Sequence, residues 1–371
     1  MPSITCFLAV LLSASILLAS GVVHADISPE QYRQPPALWP AMNHSNPSAK
    51  ELAPLPGLPR VSWHTPRTER LGYQLFFDPR LSGSGQIACA SCHDPDLGWA
   101  DGRQVAIGHN RQAGIRNTMS ILNSAYFKHL FWDGRAKGLI DQALDPISNP
   151  LEMNASLPEV LDRLNAIPGY QQAFAKAFNS ERINADHLAM ALAAFERSIV
   201  SRPNRLDRFI NGNYQALTDQ QIKGLHLFRT KAGCISCHSG ALYSDGDFHH
   251  TGLSYYGRKY QDTGLEQVTG RAEDRGKFRT PSLRDLAYTG PWMHNGLFPS
   301  IRGILNMYNA GMIGNTRLPP GLPPLSVHIK PLHLSSAELD ALEAFLSALN
   351  QQPYRRPLPK LPDYLSISSW K

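Results

Sequence analysis

Apolar residues recur at helical spacing along most of the chain, and the alternation of apolar and polar residues that marks a β-strand is scarce. In the stretch HLAMALAAFERSIV, Leu188, Leu192, Phe195 and Ile199 fall on one face, which predicts a buried helix. Three helix starts are marked by a hydroxyl residue followed three positions later by Glu or Gln. These capping boxes are Ser156-x-x-Glu159, Thr218-x-x-Gln221 and Ser335-x-x-Glu338. The pattern therefore predicts a mostly α-helical fold with long loops.

Segments rich in proline and polar residues flank the helical part. Residues 26–62 and 351–371 are of this kind, and we predict that they are extended segments running over a surface. The stretch RPNRLDRFINGN, residues 202–213, concentrates Pro, Gly and Asn and indicates a division. We therefore predict a first domain over residues 63–205 and a second over residues 206–350.

The chain also repeats itself. The stretch NTMSILNSAYFKHLFWDG, which begins at Asn117, matches RTPSLRDLAYTGPWMHNG, which begins at Arg279, at a constant offset of 162 residues. A helix-like apolar pattern, LGYQLFFDP in one half and KGLHLFRT in the other, precedes a cysteine motif each time. Two copies of one unit are the economical explanation, so the two predicted domains should share one fold.

The N-terminal 25 residues have the features of an export signal. They contain no Asp, Glu, Lys or Arg, carry a short apolar run and end in Val23-His24-Ala25, a pattern suited to signal peptidase. The alternative is an uncleaved membrane anchor, which the short apolar run disfavours. No later segment is apolar for long enough to span a bilayer, so we expect a periplasmic protein without stable membrane association.

Four of the five cysteines form two identical patterns, and the fifth, Cys6, lies in the predicted signal. The patterns are Cys89-Ala-Ser-Cys92-His93 and Cys234-Ile-Ser-Cys237-His238. In an exported protein, redox-active disulfides or a zinc site are the alternatives, but neither explains why His follows the second Cys both times. The C-x-x-C-H motif attaches c-type haem through two thioether bonds, and its histidine binds the iron. The sequence therefore predicts two covalently bound haem c groups.

Composition adds little about partners. The 371 residues, 42% of them hydrophobic, suffice for two domains. The net charge is +6 and the sequence pI is about 9.0, yet no run of Lys or Arg is present. We therefore expect no nucleic-acid partner and interpret the charge as a solvated surface that helps to steer an acidic redox partner.

The repeat predicts a difference between the two irons. Carried past the matched stretches, the offset sets Pro146 against Tyr308. A haem with one protein ligand is a reaction site, whereas one with two is normally an electron carrier. Proline cannot bind iron and a phenol can, so we predict an open first haem and a second haem closed by Tyr308. The neighbouring Met307 is then a packing residue.

Three long stretches of the chain resemble the bacterial dihaem cytochrome c peroxidase and MauG superfamily. They are LFFDPRLSGSGQIACASCHDP, FWDGRAKGLIDQALDPISNPLEM and FRTPSLRDLAYTGPWMHNGLFPSIRGILNMYN. The resemblance implies two cytochrome c-like haem domains and a peroxidase that activates hydrogen peroxide at the N-terminal haem. Its electrons would come through the second haem from a small periplasmic donor, a c-type cytochrome or a cupredoxin.

The resemblance also implies roles for residues that the pattern alone leaves as ordinary. Trp132 would lie between the haems and support electron transfer, and Gln142 and Glu152 would line the peroxide pocket. O–O cleavage needs a group such as a carboxyl to move a proton from the inner to the outer oxygen. His109 matches a position that ligates the first haem in many resting peroxidases, but it also suits an exposed loop, and both interpretations stay open.

Further implied features concern a cation and the choice of substrate. Asn117, Thr289 and Pro291 match positions that bind Ca²⁺ between the domains through oxygen atoms, the ligands that calcium prefers. Peroxidases of the family place Met where this chain has Tyr308, and Tyr is the MauG-type choice. MauG oxidises a protein substrate through a surface Trp at a position that is Ala232 here. The alternatives are therefore a MauG-like oxidase of a protein substrate or a non-enzymatic dihaem electron carrier.

Overall fold

The computed structural model describes residues 27–180, 182–352, 354 and 356–363. The predicted signal segment 1–25 and part of the predicted C-terminal tail lie outside these residues. Within the described part of the chain, no helix is both long and apolar enough to cross a membrane.

The structure is mostly α-helical, as the sequence predicts, with little strand. The helices are α1 (Pro66–Phe76), α2 (Leu139–Gln142), α3 (Asp145–Ser148), α4 (Leu157–Asn165), α5 (Pro168–Phe178), α6 (Ala185–Arg197), α7 (Arg205–Ile210), α8 (Asp219–Arg229), α9 (Glu266–Thr269), α10 (Ile301–Asn309) and α11 (Ser336–Ala348). Strands β1 (Phe248–His250) and β2 (Lys277–Arg279) form an antiparallel pair in which Phe248 lies opposite Arg279. Long loops and short 3-10 turns connect these elements.

Two of the three predicted capping boxes are present. The side chains of Thr218 and Ser335 each accept a hydrogen bond from the backbone N–H three residues on, at the starts of α8 and α11. Ser156 precedes α4 but makes no capping bond, so that capping box is wrong. Pro158, in the first turn of α4, has no N–H to offer, which reduces what a cap could satisfy there.

The helices pack around two main hydrophobic cores. The first is built by α1, α4, α5 and α6 and contains Phe76, Phe174 and Phe195, all essentially inaccessible to solvent. The second is built by α7, α8 and α11 around Phe228 and Phe345. The stretch 202–213, predicted as a division, contains α7, which packs in the second core because Leu206 and Phe209 are apolar at helical spacing.

Both cores depend on the same close helix crossing. A Cβ atom at Gly72 of α1 would lie 1.8 Å from the carbonyl oxygen of Ala191 in α6. A Cβ atom at Gly224 of α8 would lie 2.0 Å from the carbonyl oxygen of Ala341 in α11. The helix that precedes each C-x-x-C-H motif therefore rests directly on the backbone of the last long helix of its unit.

The two copies of the sequence repeat share local backbone conformation. Phe131 and Met293, which are 162 residues apart, both have left-handed backbone conformations, with φ of 65° and 69°. The β-bridge between Leu130 and Ala136 recurs between Trp292 and Phe298. The offset read from the sequence is thus also an offset in structure.

The segments that flank the helices cross over to the opposite units. We call residues 27–62 the N-terminal strap and residues 354 and 356–363 the C-terminal strap. Tyr32, Trp39 and Leu52 of the N-terminal strap are buried in the second core. This segment was predicted to run over a surface, but its large apolar side chains are inserted instead.

The C-terminal strap packs on the first unit. The guanidinium carbon of Arg356 lies 5.3 Å from the ring centroid of Phe195, and the Pro362 carbonyl accepts a hydrogen bond of 2.9 Å from Nη1 of Arg80. Each end of the chain therefore stabilises the unit that lies farther from it in sequence.

We expect Gly224→Ala to lower the free energy of unfolding by at least about 1–3 kcal/mol, because the added methyl group forces α8 away from α11. Denaturant-induced unfolding of the haem-loaded protein measures the change. Gly57→Ala is the matched control, since a Cβ atom there has nothing within 4 Å. Equal effects of the two substitutions would contradict the proposed close contact.

Candidate functional site

The two C-x-x-C-H motifs have the same local structure. Each begins as a 3-10 turn, Cys89–Ser91 in the first unit and Cys234–Ser236 in the second. The four cysteines in the described residues are free thiols. Burial raises the pKa of Cys92 to about 11 and that of Cys234 to about 12, so these are neutral thiols.

The histidine of each motif is oriented by a backbone carbonyl. Nδ1 of His93 lies 3.1 Å from the carbonyl oxygen of Trp99, and Nδ1 of His238 lies 3.0 Å from that of Tyr243. A carbonyl can only accept, so each Nδ1 carries the hydrogen and each Nε2 keeps a lone pair for a metal. Burial lowers the pKa of both imidazoles, which keeps them in the neutral, ligating form.

The acceptor carbonyls are themselves held in place. Trp99 packs against Phe76 and Phe195, with ring centroids 5.9 Å apart in both pairs. The Tyr243 hydroxyl donates to Asp207 at 3.0 Å, and Arg284 donates to the two oxygens of the same carboxylate at 2.8 and 2.9 Å. Arg284 therefore has a buried structural partner.

A cavity over the first motif brings together the residues predicted for peroxide chemistry. Besides Cys89, Cys92 and His93, it is lined by Trp132, Gln142, Pro146 and Glu152. Glu152 is half-buried, and its Oε1 accepts a hydrogen bond of 2.7 Å from the Asn149 amide. Burial raises the pKa of the Glu152 carboxyl. A proton-exchanging group thus stands in an otherwise mostly apolar cavity.

A second cavity surrounds the other motif. Its wall includes Cys234, Cys237, His238 and Tyr308. Met307 is not among the described residues that line it. Burial raises the pKa of the Tyr308 phenol, so only a nearby cation such as iron would favour the phenolate. The structure places Pro146 and Tyr308 in corresponding walls, as the sequence offset predicts.

Trp132 lines both cavities. The side chain is 8% exposed, and its Nε1 donates a hydrogen bond of 2.9 Å to the Asn117 carbonyl. Its own carbonyl accepts a hydrogen bond of 2.9 Å from the backbone N–H of Arg279 in β2. The indole is therefore fixed between the two cavities by one bond from each copy of the repeat.

Ion pairs close the junction beside Trp132. Arg116 of the first unit donates to both oxygens of Asp262 in the second, at 2.6 and 2.8 Å, and to Asp133 at 2.5 Å. The Arg116 guanidinium lowers the pKa of Asp262, although burial opposes this change. Because these groups are largely buried, the bidentate pair joins the units firmly.

The remaining predicted site residues occupy two places. Asn117, Thr289 and Pro291 line a third cavity between the units, together with Trp132. The Asn117 amide nitrogen donates to the Arg103 carbonyl at 2.8 Å, so its side-chain oxygen is the atom that a cation would contact. His109 differs, because Gly108 but not His109 is among the described residues that line the first cavity. The backbone N–H of His109 donates to the carbonyl of Glu152 at 2.8 Å, which sets it behind that residue.

Two buried charged residues of the site were not predicted. Arg279 lines all three cavities, is 3% exposed and has one guanidinium nitrogen, Nη1, without a hydrogen-bond partner. Glu196 of α6 lines the first cavity, and burial raises its pKa to about 8. Its sequence signal was its position four residues after Leu192, on the apolar face of the helix.

The residues at both cavities fit a covalently bound haem. Each site offers two thiols, an imidazole with Nε2 available and mostly apolar walls. The unpartnered nitrogen of Arg279 is what an anionic haem carboxylate would satisfy. The donor set thus suits c-type haem rather than zinc or a disulfide.

Comparison with known proteins gives the same result. The sequence model of a family described as di-haem cytochrome c peroxidase matches residues 66–215. The methylamine utilization protein MauG of Methylorubrum extorquens is 41% identical over 82% of this chain and 84% of its own length. Cytochrome-c peroxidase IdrP1 of Pseudomonas sp. strain SCT is 37% identical over 84% of this chain and 89% of its own. A solved structure of a MauG-like protein associated with microbial copper homeostasis has a TM-score of 0.70 and 32% identity, covering 83% of this chain and 95% of its own.

Glu196 makes the stability of the protein depend on pH. Its folded pKa, about 8, lies above the ordinary value of 4.5, so its contribution is fully present below pH 4.5 and is lost as the pH rises toward 8. We expect Glu196→Gln to remove this loss, on the order of a few kcal/mol at pH 9. Unfolding measured from pH 5 to pH 9 tests this, with the exposed Glu159→Gln as control. Parallel pH profiles for Glu196→Gln and the unsubstituted protein would refute it.

Proposed function

Because this chain belongs to the di-haem cytochrome c peroxidase family, we propose that it reduces hydrogen peroxide at the first cavity with electrons drawn from an external donor through the second. Family membership makes the protein a di-haem peroxidase with two covalently bound c-type haems. It also favours an enzyme over a non-enzymatic electron carrier.

One observation supports the division of labour between the cavities. Pro146 stands in the wall of the first cavity where Tyr308 stands in the second. When bound, the haem iron held by His93 supplies the place where peroxide binds and the electrons that break its O–O bond. Pro146 offers no ligand there, so the first site stays open to peroxide, whereas Tyr308 closes the second.

Proton movement is the task of the chain itself. Reduction of one H₂O₂ to two waters consumes two electrons and two protons. Glu152, as carboxylate, accepts the proton of the inner peroxide oxygen and returns it to the outer oxygen, which then leaves as water. Gln142 lines the same cavity and can donate a hydrogen bond to the peroxide. Asn149 holds the Glu152 carboxyl in position.

Trp132 provides the route between the cavities. It is the indole that both cavities share, and its Nε1–H stays bonded to the Asn117 carbonyl. Tyr308, as a hard anionic ligand, favours the oxidised iron of the second site and so lowers its potential. That choice favours storage of oxidising equivalents near the second cavity.

The donor is a small periplasmic redox protein, a c-type cytochrome or a cupredoxin. A MauG-like oxidation of a protein substrate is the second candidate, because the relative named MauG shares 41% identity. Against it, the position of the exit tryptophan is Ala232, which is 7% exposed and cannot be oxidised. Export through the segment 1–25 places the enzyme in the periplasm.

A calcium ion between the units completes the proposed site. Its ligands would be the side-chain oxygen of Asn117 and the carbonyls of Thr289 and Pro291, which line one cavity with Trp132. His109 lies close behind Glu152 and is proposed as the residue that could bind the first iron in a resting state.

We expect Glu152→Gln to slow the reaction with peroxide by about 10²–10⁴-fold, because the amide cannot accept the proton. Stopped-flow mixing of H₂O₂ with the haem-loaded protein measures this rate. The exposed Glu159→Gln is the control and should react at the unsubstituted rate. A Glu152→Gln rate equal to that of the control would overturn the role of Glu152. Failure of the unsubstituted protein to react with peroxide in either the oxidised or the half-reduced form would overturn the proposed function.

Tyr308→Phe should abolish the phenolate signature of the second site in optical and EPR spectra, because it removes the only oxygen of that side chain. Met307→Leu is the matched control and should leave the signature intact. Loss of the signature in Met307→Leu, with retention in Tyr308→Phe, would show that the register of α10 is wrong.

A further inference from the structure

Arg279 carries a buried charge without an acidic partner. Its side chain is 3% exposed, and no carboxylate among the described residues forms an ion pair with it. Burial lowers the pKa of the guanidinium to about 10, which still leaves it charged at neutral pH. An isolated buried cation is costly, so the fold must supply a compensating anion from elsewhere.

The contacts that Arg279 does make are weak for a charged group. Its Nε donates to the Phe131 carbonyl at 3.2 Å, and Nη2 contacts the sulfur of Met119. The guanidinium carbon lies 4.2 Å from the ring centroid of Phe127. Nη1 is buried without a partner. A carbonyl, a thioether and a ring face do not neutralise a full positive charge.

Other buried arginines of the chain are paired in full. Arg284, also 3% exposed, binds both oxygens of Asp207, and Arg229, 2% exposed, pairs with Glu51. The fold therefore places acids beside arginines where the protein itself needs neutrality. Arg279 stands out because its free nitrogen lies in the space where the haems bind.

The position of Arg279 relates it equally to both cavities. It lines the first and the second, and its backbone N–H is bonded to the carbonyl of Trp132, the residue that separates them. In the repeat it corresponds to Asn117, whose carbonyl holds the indole N–H of the same tryptophan. The two equivalent positions thus flank Trp132, but only the second copy contributes a cation.

We propose that Arg279 is a shared counter-ion, binding a carboxylate of the haem in each cavity and raising the reduction potentials of both. The inference rests on the proposed occupancy of one haem per cavity. A fixed positive charge in a medium of low dielectric constant favours the reduced iron, which carries one positive charge less. One side chain would therefore offset, at both irons, the low potential that the Tyr308 phenolate favours at one.

The test compares Arg279→Gln, Arg279→Lys and Arg135→Gln in the haem-loaded protein by spectroelectrochemical titration without peroxide. We expect Arg279→Gln to shift the reduction equilibrium of both haems by about tenfold toward the oxidised form, equivalent to about 59 mV each. Arg279→Lys keeps the charge and should retain most of both potentials. Arg135 lines only the first cavity, so Arg135→Gln should leave the second potential unchanged.

A shift at one haem alone, or at neither, in Arg279→Gln would overturn the shared role. If that variant fails to fold, resonance Raman spectra of Arg279→Lys decide, because the carboxylate bending bands of both haems should change frequency when a fork of donors becomes a point charge. Unchanged bands would likewise overturn the proposal. Since no measurement uses peroxide, its outcome is independent of whether the protein turns peroxide over.

Discussion

The rest of the structure depends on the indole of Trp132 being held in a wall common to two cavities. A backbone carbonyl from the first repeat copy and a backbone N–H from the second secure it. The bidentate pair between Arg116 and Asp262 closes the units on either side. Because the cavities share this side chain, any shift of one unit against the other would change both reaction sites at once.

The second theme is asymmetry imposed on a repeat. The two copies keep the same left-handed residues, bridges and glycine-mediated helix crossings. Function resides where the copies differ, at Pro146 against Tyr308 and at Asn117 against Arg279. A duplicated framework thus supports two different irons because framework and ligand positions are separate residues.

Local patterns allowed much of the site to be predicted. The C-x-x-C-H motifs need only neighbouring residues, and Tyr308 followed from the offset, since α10 keeps its register in the second unit. The capping box at Ser156 failed because a proline in the same turn changes the local donors. Arg279 and Glu196 could not be found from composition, because the burial that makes a charge unusual arises only when distant segments pack together.

The crossing straps have a consequence for electron transfer. Each end of the chain is inserted against the unit remote from it in sequence, with Tyr32 in the second core and Arg356 over Phe195 in the first. The two halves are therefore laced together rather than joined as beads on a single linker. Tunnelling rates fall steeply with distance, so this lacing keeps the gap between the two redox centres constant, and the rate between them becomes a property of the covalent chain rather than of a hinge.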